Sequence, residues 1–527
     1  MTGISNSLLL GPIIVPLMGA ALCLLLSQHN RTQRVVALIA GVIACLCSIG
    51  VLLANVQGDE NTVQIYAVGG YAVPFGVVLV GDMMASLFAV MGTSVVAFGL
   101  LYCLDCRDHS LTYPVFMPAF LSAGAGLSGS FYTGDIFTFF VFLELMVMSS
   151  VVMVAVSDNR LGLEAAIKYI FISGIGSVLL LLGIAAIYAT FGTLTLAHIA
   201  QELASGERPL LALPAAVMFM SAFLIKSAVV PFHFWQPDFH TTAPTPVSGL
   251  LSSVVVKVGI YGIIRTNTLL FTQEAPFIQN ILIVLGVIGI FFGGLSALRT
   301  WNVKRMLAYS TLGQVGFILV AIGWGTPIAL LAAIIYIVNH AYIKAGMLML
   351  TGALASRIPG HSADLNRLEG AGRGLTLFSI LFLIGGLALA GVPPFNGFIS
   401  KLALIRGGVD TESWLIVGFV IAGGVLTLIY MTRTWQWIFQ RPPRLDTNEN
   451  DEDHQLGPDS LLAPALLLVL CVALGIFAAP LIEVAETTVT QLRQPAVYTC
   501  AVLPANLLSA TPANTCPPPP LSLAIAP

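Results

Sequence analysis

The chain has 527 residues, and its 22 Lys+Arg and 25 Asp+Glu amount to 9% charged side chains, where a soluble domain carries about 25%. With 57% hydrophobic residues and a mean hydropathy of +0.93, the surface is too apolar for a water-soluble enzyme. A net charge of −3 without a basic run leaves no phosphate-neutralising stripe, which excludes a nucleic-acid binder. The composition is that of an all-α polytopic membrane protein whose outer surface meets the lipid bilayer.

A membrane-crossing helix needs about 20 mostly apolar residues. Laid along the chain, that ruler predicts about fourteen spans, near 5–27, 35–55, 77–103, 114–132, 136–156, 165–190, 211–232, 246–271, 277–298, 305–324, 327–354, 375–406, 413–439 and 461–486. The first run has neither a basic leader nor a small-residue cleavage site, so it reads as a retained helix. Helices 1–3 occupy residues 1–113, helices 4–8 residues 114–271, and helices 9–13 residues 272–445. An acidic stretch over 446–460, with Glu449, Asp451, Glu452, Asp453 and Asp459, reads as a solvated cytoplasmic loop. Helix 14 follows over 461–487, and residues 488–527 form an extracytoplasmic tail whose end, with Pro517 to Pro520, reads as disordered.

Basic residues orient the bundle. With the N-terminus outside, the predicted inner loops hold thirteen Lys or Arg, among them Arg31, Arg34, Arg107, Arg160, Lys304 and Arg305. The outer loops hold only Arg208, Arg265, Arg406 and Arg493. This positive-inside bias places both termini outside the cytoplasm, with the protein in the cell inner (plasma) membrane.

Two spans are interrupted by proline, the seventh at Pro231 and the twelfth at Pro393 and Pro394. Proline removes a backbone donor and clashes with the preceding turn. Broken helices five spans apart fit two inverted five-helix repeats, spans 4–8 and 9–13, around a transport site. Plain proline kinks, common in membrane helices, are the other reading.

Of eight cysteines, Cys23, Cys45, Cys47 and Cys471 lie in apolar runs as small hydrophobes. Cys103 and Cys106 make one C-x-x-C near His109, but no second ligand pair follows and no metal is expected. Cys500 and Cys516 allow a disulfide if the tail is extracytoplasmic. Neither a nucleotide nor a cofactor motif is present, so no cofactor is expected.

The lysines carry the chemistry. There are six, against sixteen arginines. Lys304 opens the tenth span and Lys168 starts the sixth, while Lys226, Lys257, Lys344 and Lys401 are embedded in apolar sequence. A lysine at the bilayer centre costs about 2.5–3.5 kcal/mol on insertion scales, and Lys226 and Lys257 sit too far inside their spans to snorkel. Glu144 lies near the middle of the fifth span with no opposite charge at i±3 or i±4. Its partner therefore comes from another helix. A buried carboxylate and a buried lysine each hold the other in its charged form, and separating them shifts a pKa by units. Lysine releases a proton when buried and arginine does not, so a lysine row with His340 reads as a proton relay. The bland reading is that these groups pin helices together. It is stronger for His233, His240 and His340 taken singly, since each fits an ordinary hydrogen-bonded histidine.

At this point the residues resemble a known superfamily. Thr133 to Phe137 leading to Phe142, Leu143 and Glu144 is similar to the fifth helix of the proton-pumping antiporter-like subunits. The same holds for Lys226 to Asp238 with Pro231, Ala243 to Ser248, Lys257 to Tyr261, Lys304 to Ser310, and Asn339 and His340 with Lys344. Gly391 to Phe395 with Gly397, Phe398 and Lys401 extends it, so that about residues 5 to 500 are covered. The superfamily contains respiratory complex I subunits, membrane hydrogenase subunits and Mrp-type sodium/proton antiporters. Gly69 to Val77 with Asp82, Tyr188 to Ala197, and Pro495 to Leu503 look most like the D-subunit branch of the Mrp type. One departure is Gln236 where many relatives have leucine, which reads as harmless.

The resemblance implies proton conduction through two half-channels joined at the membrane midplane. Glu144 and Lys226 would form the ion pair of the first, Lys257 the middle relay continued by His340 and Lys344, and Lys401 the second. It also implies a secondary transporter subunit, not an enzyme, that works only with other membrane subunits of a hetero-oligomeric antiporter and exchanges protons with sodium. The alternative is a pumping subunit of a redox-driven NADH–quinone oxidoreductase or membrane hydrogenase complex, since the bundle physics is the same in both.

Overall fold

The computed structural model of the chain describes residues 6–504 apart from 60, 72, 158, 205–208 and 444–457. Most of the acidic stretch and the Pro-rich end of the tail therefore lie outside the described residues. The chain is predominantly helical. It opens with α1 (Gly11–Leu25) and α2 (Asn30–Val56), then an antiparallel hairpin, β1 (Gln64–Ala67) and β2 (Val78–Gly81), with Gln64 opposite Gly81. Next come α3 (Met83–Asp105), α4 (Phe116–Tyr132), α5 (Ile136–Ala155), α6 (Arg160–Phe191) and the short α7 (Leu196–Ala204). Two starts are set by aspartate caps that satisfy an orphan backbone donor: Asp82 accepts from Ala85 at 2.8 Å before α3, and Asp135 from Thr138 at 2.7 Å before α5.

The first break follows. Helix α8 (Ala212–Lys226) stops at Lys226, the chain crosses Pro231, and α9 (Trp235–Thr242) leads into α10 (Thr245–Leu269), which contains a π turn at Leu251–Val255. The bundle continues with α11 (Ala275–Arg299), α12 (Val303–Trp324) and α13 (Pro327–Ala355). Glycines let α11 and α12 pack backbone to backbone: a Cβ on Gly286 would stand 2.7 Å from the Gly316 carbonyl. The second break separates α14 (Thr376–Ala390) from α15 (Asn396–Asp410), and α16 (Trp414–Phe439) follows. The chain closes with α17 (Leu462–Ile476), α18 (Ala479–Leu492) and α19 (Pro495–Val502).

Among the described residues nine helices are long and apolar enough to cross a membrane, or ten if the pair α17 and α18, bent by 76°, counts as one span. The expectation of about fourteen spans departs from this where helices are short or interrupted. Helices α1, α8 and α14 are apolar but only 15 residues long, and α4 has 17. Lys226, read as lying well inside its span, is the last residue of α8.

Burial sorts the helices. The apolar stretch of α10 is wholly enclosed, and those of α12 and α13 are 94% and 89% buried. Helices α2, α6, α11 and α16 leave large apolar side chains outside, such as Leu46, Phe171, Val284 and Val425. Lipid supplies the partner those faces lack, and the helical backbone satisfies its own polar groups. Each of the three enclosed helices carries a lysine: Lys257 on α10, Lys304 on α12 and Lys344 on α13.

Candidate functional site

The end of α8 delivers Lys226 between α5 and α6. Its Nζ donates to Glu144 Oε1 at 2.9 Å, to Ser173 Oγ at 2.6 Å and to Ser177 Oγ at 2.9 Å. Ser177 Oγ in turn donates to the same Glu144 oxygen. Three donor positions of an ammonium are thus filled by one carboxylate and two hydroxyls, which answers both its charge and its geometry. The Lys226 side chain is 5% exposed and Glu144 21%. Glu144 therefore has the cross-helix partner that its isolation on α5 demanded. Directly after Lys226, Ala228 adopts φ 53° while fully buried, a left-handed turn that non-glycine residues rarely take.

The remaining lysines on the enclosed helices find no carboxylate among the described residues. Lys257, fully enclosed in α10, donates to the Ser252 carbonyl at 2.7 Å, inside the π turn. Lys344, fully enclosed in α13, donates across to the Leu307 carbonyl of α12 at 2.7 Å. His340, one turn before Lys344 on α13, lies within electrostatic reach of Lys257, Lys344 and Lys401. Neither His340 ring nitrogen has a protein partner among the described residues, and the ring borders a cavity of about 10 Å³ with Gln314, Tyr336 and Ser400. That is the scale of one water molecule in a polar site.

At the second break Lys401, on α15, folds back to donate to the Ala390 carbonyl at 2.8 Å, and its ammonium lies 5.1 Å from the centre of the Phe317 ring. Ala390 is the last residue of α14, so this lysine caps the negative end of a helix dipole. Gly391 makes the turn at φ 85°, and a Cβ there would stand 2.5 Å from Lys401 Cδ. Pro393 and Pro394, which offer no amide hydrogen, lead into α15. Asn339 clamps the break, donating to the Asn396 carbonyl at 3.1 Å and to Ser400 Oγ at 3.0 Å.

Sequence reasoning missed several groups. Ser173 and Ser177 stand one turn apart on α6, a signal visible as polar residues at i and i+4 in an apolar run. Arg265, expected in an outer loop, is buried in α10 and forms a bidentate pair with Asp82 at 2.5 and 2.8 Å. Its partner is 183 residues away in sequence, which hides the pair from any local pattern. Gln236, read as harmless, is fully enclosed, and among the described residues neither of its side-chain amide atoms is bonded to protein. His240, one turn on, has both ring nitrogens in the same condition. His233 packs its ring 4.5 Å from that of Phe292. Lys168 and Arg305 both pair with Asp238, at 2.8 and 3.1 Å, tying α6, α9 and α12 at one end of the bundle. Cys103 and Cys106 are buried, while His109 bonds Thr112 and stacks on Tyr113. Cys500 is disulfide-bonded, and Cys516 lies outside the described residues. No cluster of three or more metal-ligating side chains occurs among the described residues.

A polytopic bundle with an interhelical Glu–Lys pair and further lysines enclosed on its innermost helices defines a class of membrane protein whose chemistry lies within the bilayer. Residues 133–427 match the family described as NADH:quinone oxidoreductase/Mrp antiporter, transmembrane. The chain is 31% identical over 499 residues to a Na(+)/H(+) antiporter D-subunit from Alkalihalophilus pseudofirmus, covering 94% of this chain and 99% of that relative. It is 28% identical over 505 residues to the protein of the same name from Bacillus subtilis, with 94% and 99% covered. The chain belongs to the NADH:quinone oxidoreductase/Mrp antiporter family of membrane subunits. Its fold is similar to that of a chain in the Mrp complex from Dietzia sp. DQ12-45-1b, with a TM-score of 0.86 at 24% identity, covering 96% of this chain and all of that one. A chain of the membrane-bound sulfane sulfur reductase, an archaeal respiratory membrane complex, is similar at a TM-score of 0.85 and 27% identity over 94% of this chain and all of that one.

Proposed function

We propose that this chain is the proton-translocating subunit of a multisubunit sodium/proton antiporter in the plasma membrane. The observation that carries the reading is the Lys226–Glu144 contact at 2.9 Å, reinforced by two serines, at the point where a helix breaks. In this reading the proton passes between the Glu144–Lys226 pair and Lys257, then by Lys344 and His340 to Lys401. Serine hydroxyls steady the Lys226 ammonium, and backbone carbonyls hold Lys257, Lys344 and Lys401. Residues 114–271 and 272–445 are two inverted repeats, each with one broken helix, and the short and interrupted helices bring the crossings to fourteen. The basic loops face the cytoplasm and both termini face outward. The partners are the other membrane subunits of the complex, and the cargo is protons exchanged for sodium. A pumping subunit of a redox-driven complex is a second reading, favoured by the likeness to the archaeal respiratory chain.

The deciding experiment purifies the tagged chain from its native membrane, identifies what accompanies it, and reconstitutes the assembly in liposomes. Small membrane subunits and sodium-dependent proton flux support antiport, and subunits with iron–sulfur centres and no sodium dependence support the second reading. The chain alone should exchange no ions, because it holds a relay without a source of drive.

A further inference from the structure

Asp459 ends the acidic stretch that reads as solvated, yet it is 6% exposed. The residues around it explain why. Its Oδ2 accepts from the Tyr102 hydroxyl at 2.7 Å and the Cys106 thiol at 3.6 Å, and its Oδ1 from the Arg107 amide at 2.9 Å. Its own amide donates to Ser356 Oγ at 2.9 Å, and Arg357 reaches its backbone carbonyl at 3.3 Å. Burial first, and the nearby carboxylate second, push the Cys106 thiol well above its ordinary range, so the sulfur stays a donor. All the donors to the carboxylate are neutral, and no ion pair reaches it among the described residues.

A buried carboxylate whose direct donors are all neutral is costly, and its position says what the cost supports. It sits where the end of α3, the end of α13 and the start of α17 meet, with Tyr102 also lying against Thr245, the first residue of α10. Helices α10 and α13 carry the enclosed lysines. Two cations among the described residues feel the carboxylate: Arg357, which bonds its backbone carbonyl, and Lys304, which also feels Asp108 and Cys106 and donates to the Ala243 carbonyl at 3.4 Å. Lys304 in turn lies within reach of His240, which also feels Lys344 and Lys257. A carboxylate at the end of the bundle, Lys304 in its field and the unbonded His240 in the field of Lys304, Lys344 and Lys257 link this end electrostatically to the central lysines.

We propose that Asp459, with Lys304 behind it, is the cytoplasmic port of the relay: the carboxylate that takes up or releases the proton passing between the cytoplasm and the central lysines. The inference rests on the antiport reading and on the orientation set by the basic loops. If that reading is wrong, the wild-type complex itself fails to exchange, which is separable from a defect confined to one variant.

The test uses the whole complex in membrane vesicles. Asp459→Asn keeps an acceptor for Tyr102 and Arg107 but removes the proton-carrying group. The expected result is normal subunit assembly, sodium-driven proton flux at least tenfold slower, and a larger solvent deuterium isotope effect than wild type. Asp459→Glu should recover part of the rate. Tyr102→Phe loosens the same cluster, leaves the carboxylate in place, and should keep most of it. Wild-type flux in Asp459→Asn, or equal losses in Asp459→Asn and Tyr102→Phe, would overturn the port. Should Asp459→Asn fail to assemble, Lys304→Gln decides, because it leaves the cluster bonds intact: a tenfold loss supports the port and a wild-type rate refutes it.

Discussion

The two helix breaks answer the same problem in different ways. At the first, Lys226 is held by a carboxylate and two serines. At the second, Lys401 is held by a helix-end carbonyl and the face of a phenylalanine. The first site is neutral with its lysine charged, and losing a proton leaves it negative. The second is neutral with its lysine uncharged, and gaining a proton leaves it positive. A proton moving from one break to the other therefore moves net charge between two sites of unlike character, and His340 lies within electrostatic reach of Lys401 at the second. The backbones differ as well, since the first break turns through Ala228 at φ 53° and the second through Gly391 at φ 85°. The first break places its lysine before the turn and the second places it after.

The comparison breaks most visibly at the carboxylate. Removing one member of a buried pair leaves the other uncompensated at about 3–5 kcal/mol, so Glu144→Gln and Lys226→Ala should each lower sodium-driven proton flux by at least a hundredfold. Flux measured in vesicles, normalised to assembled complex, checks this, and Glu144→Asp should keep part of the rate. Next in size is Gly391→Ala. The added Cβ meets Lys401 Cδ, and a left-handed non-glycine residue costs roughly 1–3 kcal/mol, so flux should fall about tenfold with Glu144 and Lys226 untouched. A wild-type rate there would mean that the position of Lys401 does not matter.

Smaller still is Ser177→Ala. Hydrogen bonds to charged groups contribute about 1.5–3 kcal/mol, but Ser173 and Glu144 remain on Lys226, so a loss of roughly fivefold is expected. If the double variant Ser173→Ala/Ser177→Ala transports normally, the serines are bystanders. The smallest effect belongs to Ala228→Gly, which relieves a left-handed alanine but removes a fully buried methyl. The strain of about 1–2 kcal/mol and the lost burial of about 0.8 kcal/mol largely offset each other. Thermal unfolding of the complex should therefore shift by less than about 1 kcal/mol with flux unchanged, and a loss of transport would show that the first break depends on a stiff turn.

Much of this was legible in the sequence because burying charge is expensive. Glu144 without a helical neighbour, and lysines in apolar runs, announced themselves by that cost, and the prolines announced the breaks. The partners were not legible. The carbonyls of Ser252, Leu307 and Ala390 belong to the backbone, which has no residue identity to read. Asp82 and Arg265 lie far apart in the chain, so each looked like an ordinary charge near a helix end. Asp459 looked solvated because composition averages over its acidic neighbours, whereas its burial depends on Tyr102 and Ser356 from other helices. The spans read at 211–232 and 375–406 each run across a break, because an apolar run does not show where its helix stops, as at the ends of α8 and α14.

The central claim is that the Glu144–Lys226 pair passes protons and does not merely hold helices together. Lys226→Arg tests it most directly, because arginine keeps the charge and the hydrogen bonds but does not release a proton. Sodium-driven proton flux is measured in vesicles containing the fully assembled complex with this one change. The account predicts normal assembly with transport reduced to background. Wild-type flux in Lys226→Arg would contradict it and leave the pair as a structural ion bridge.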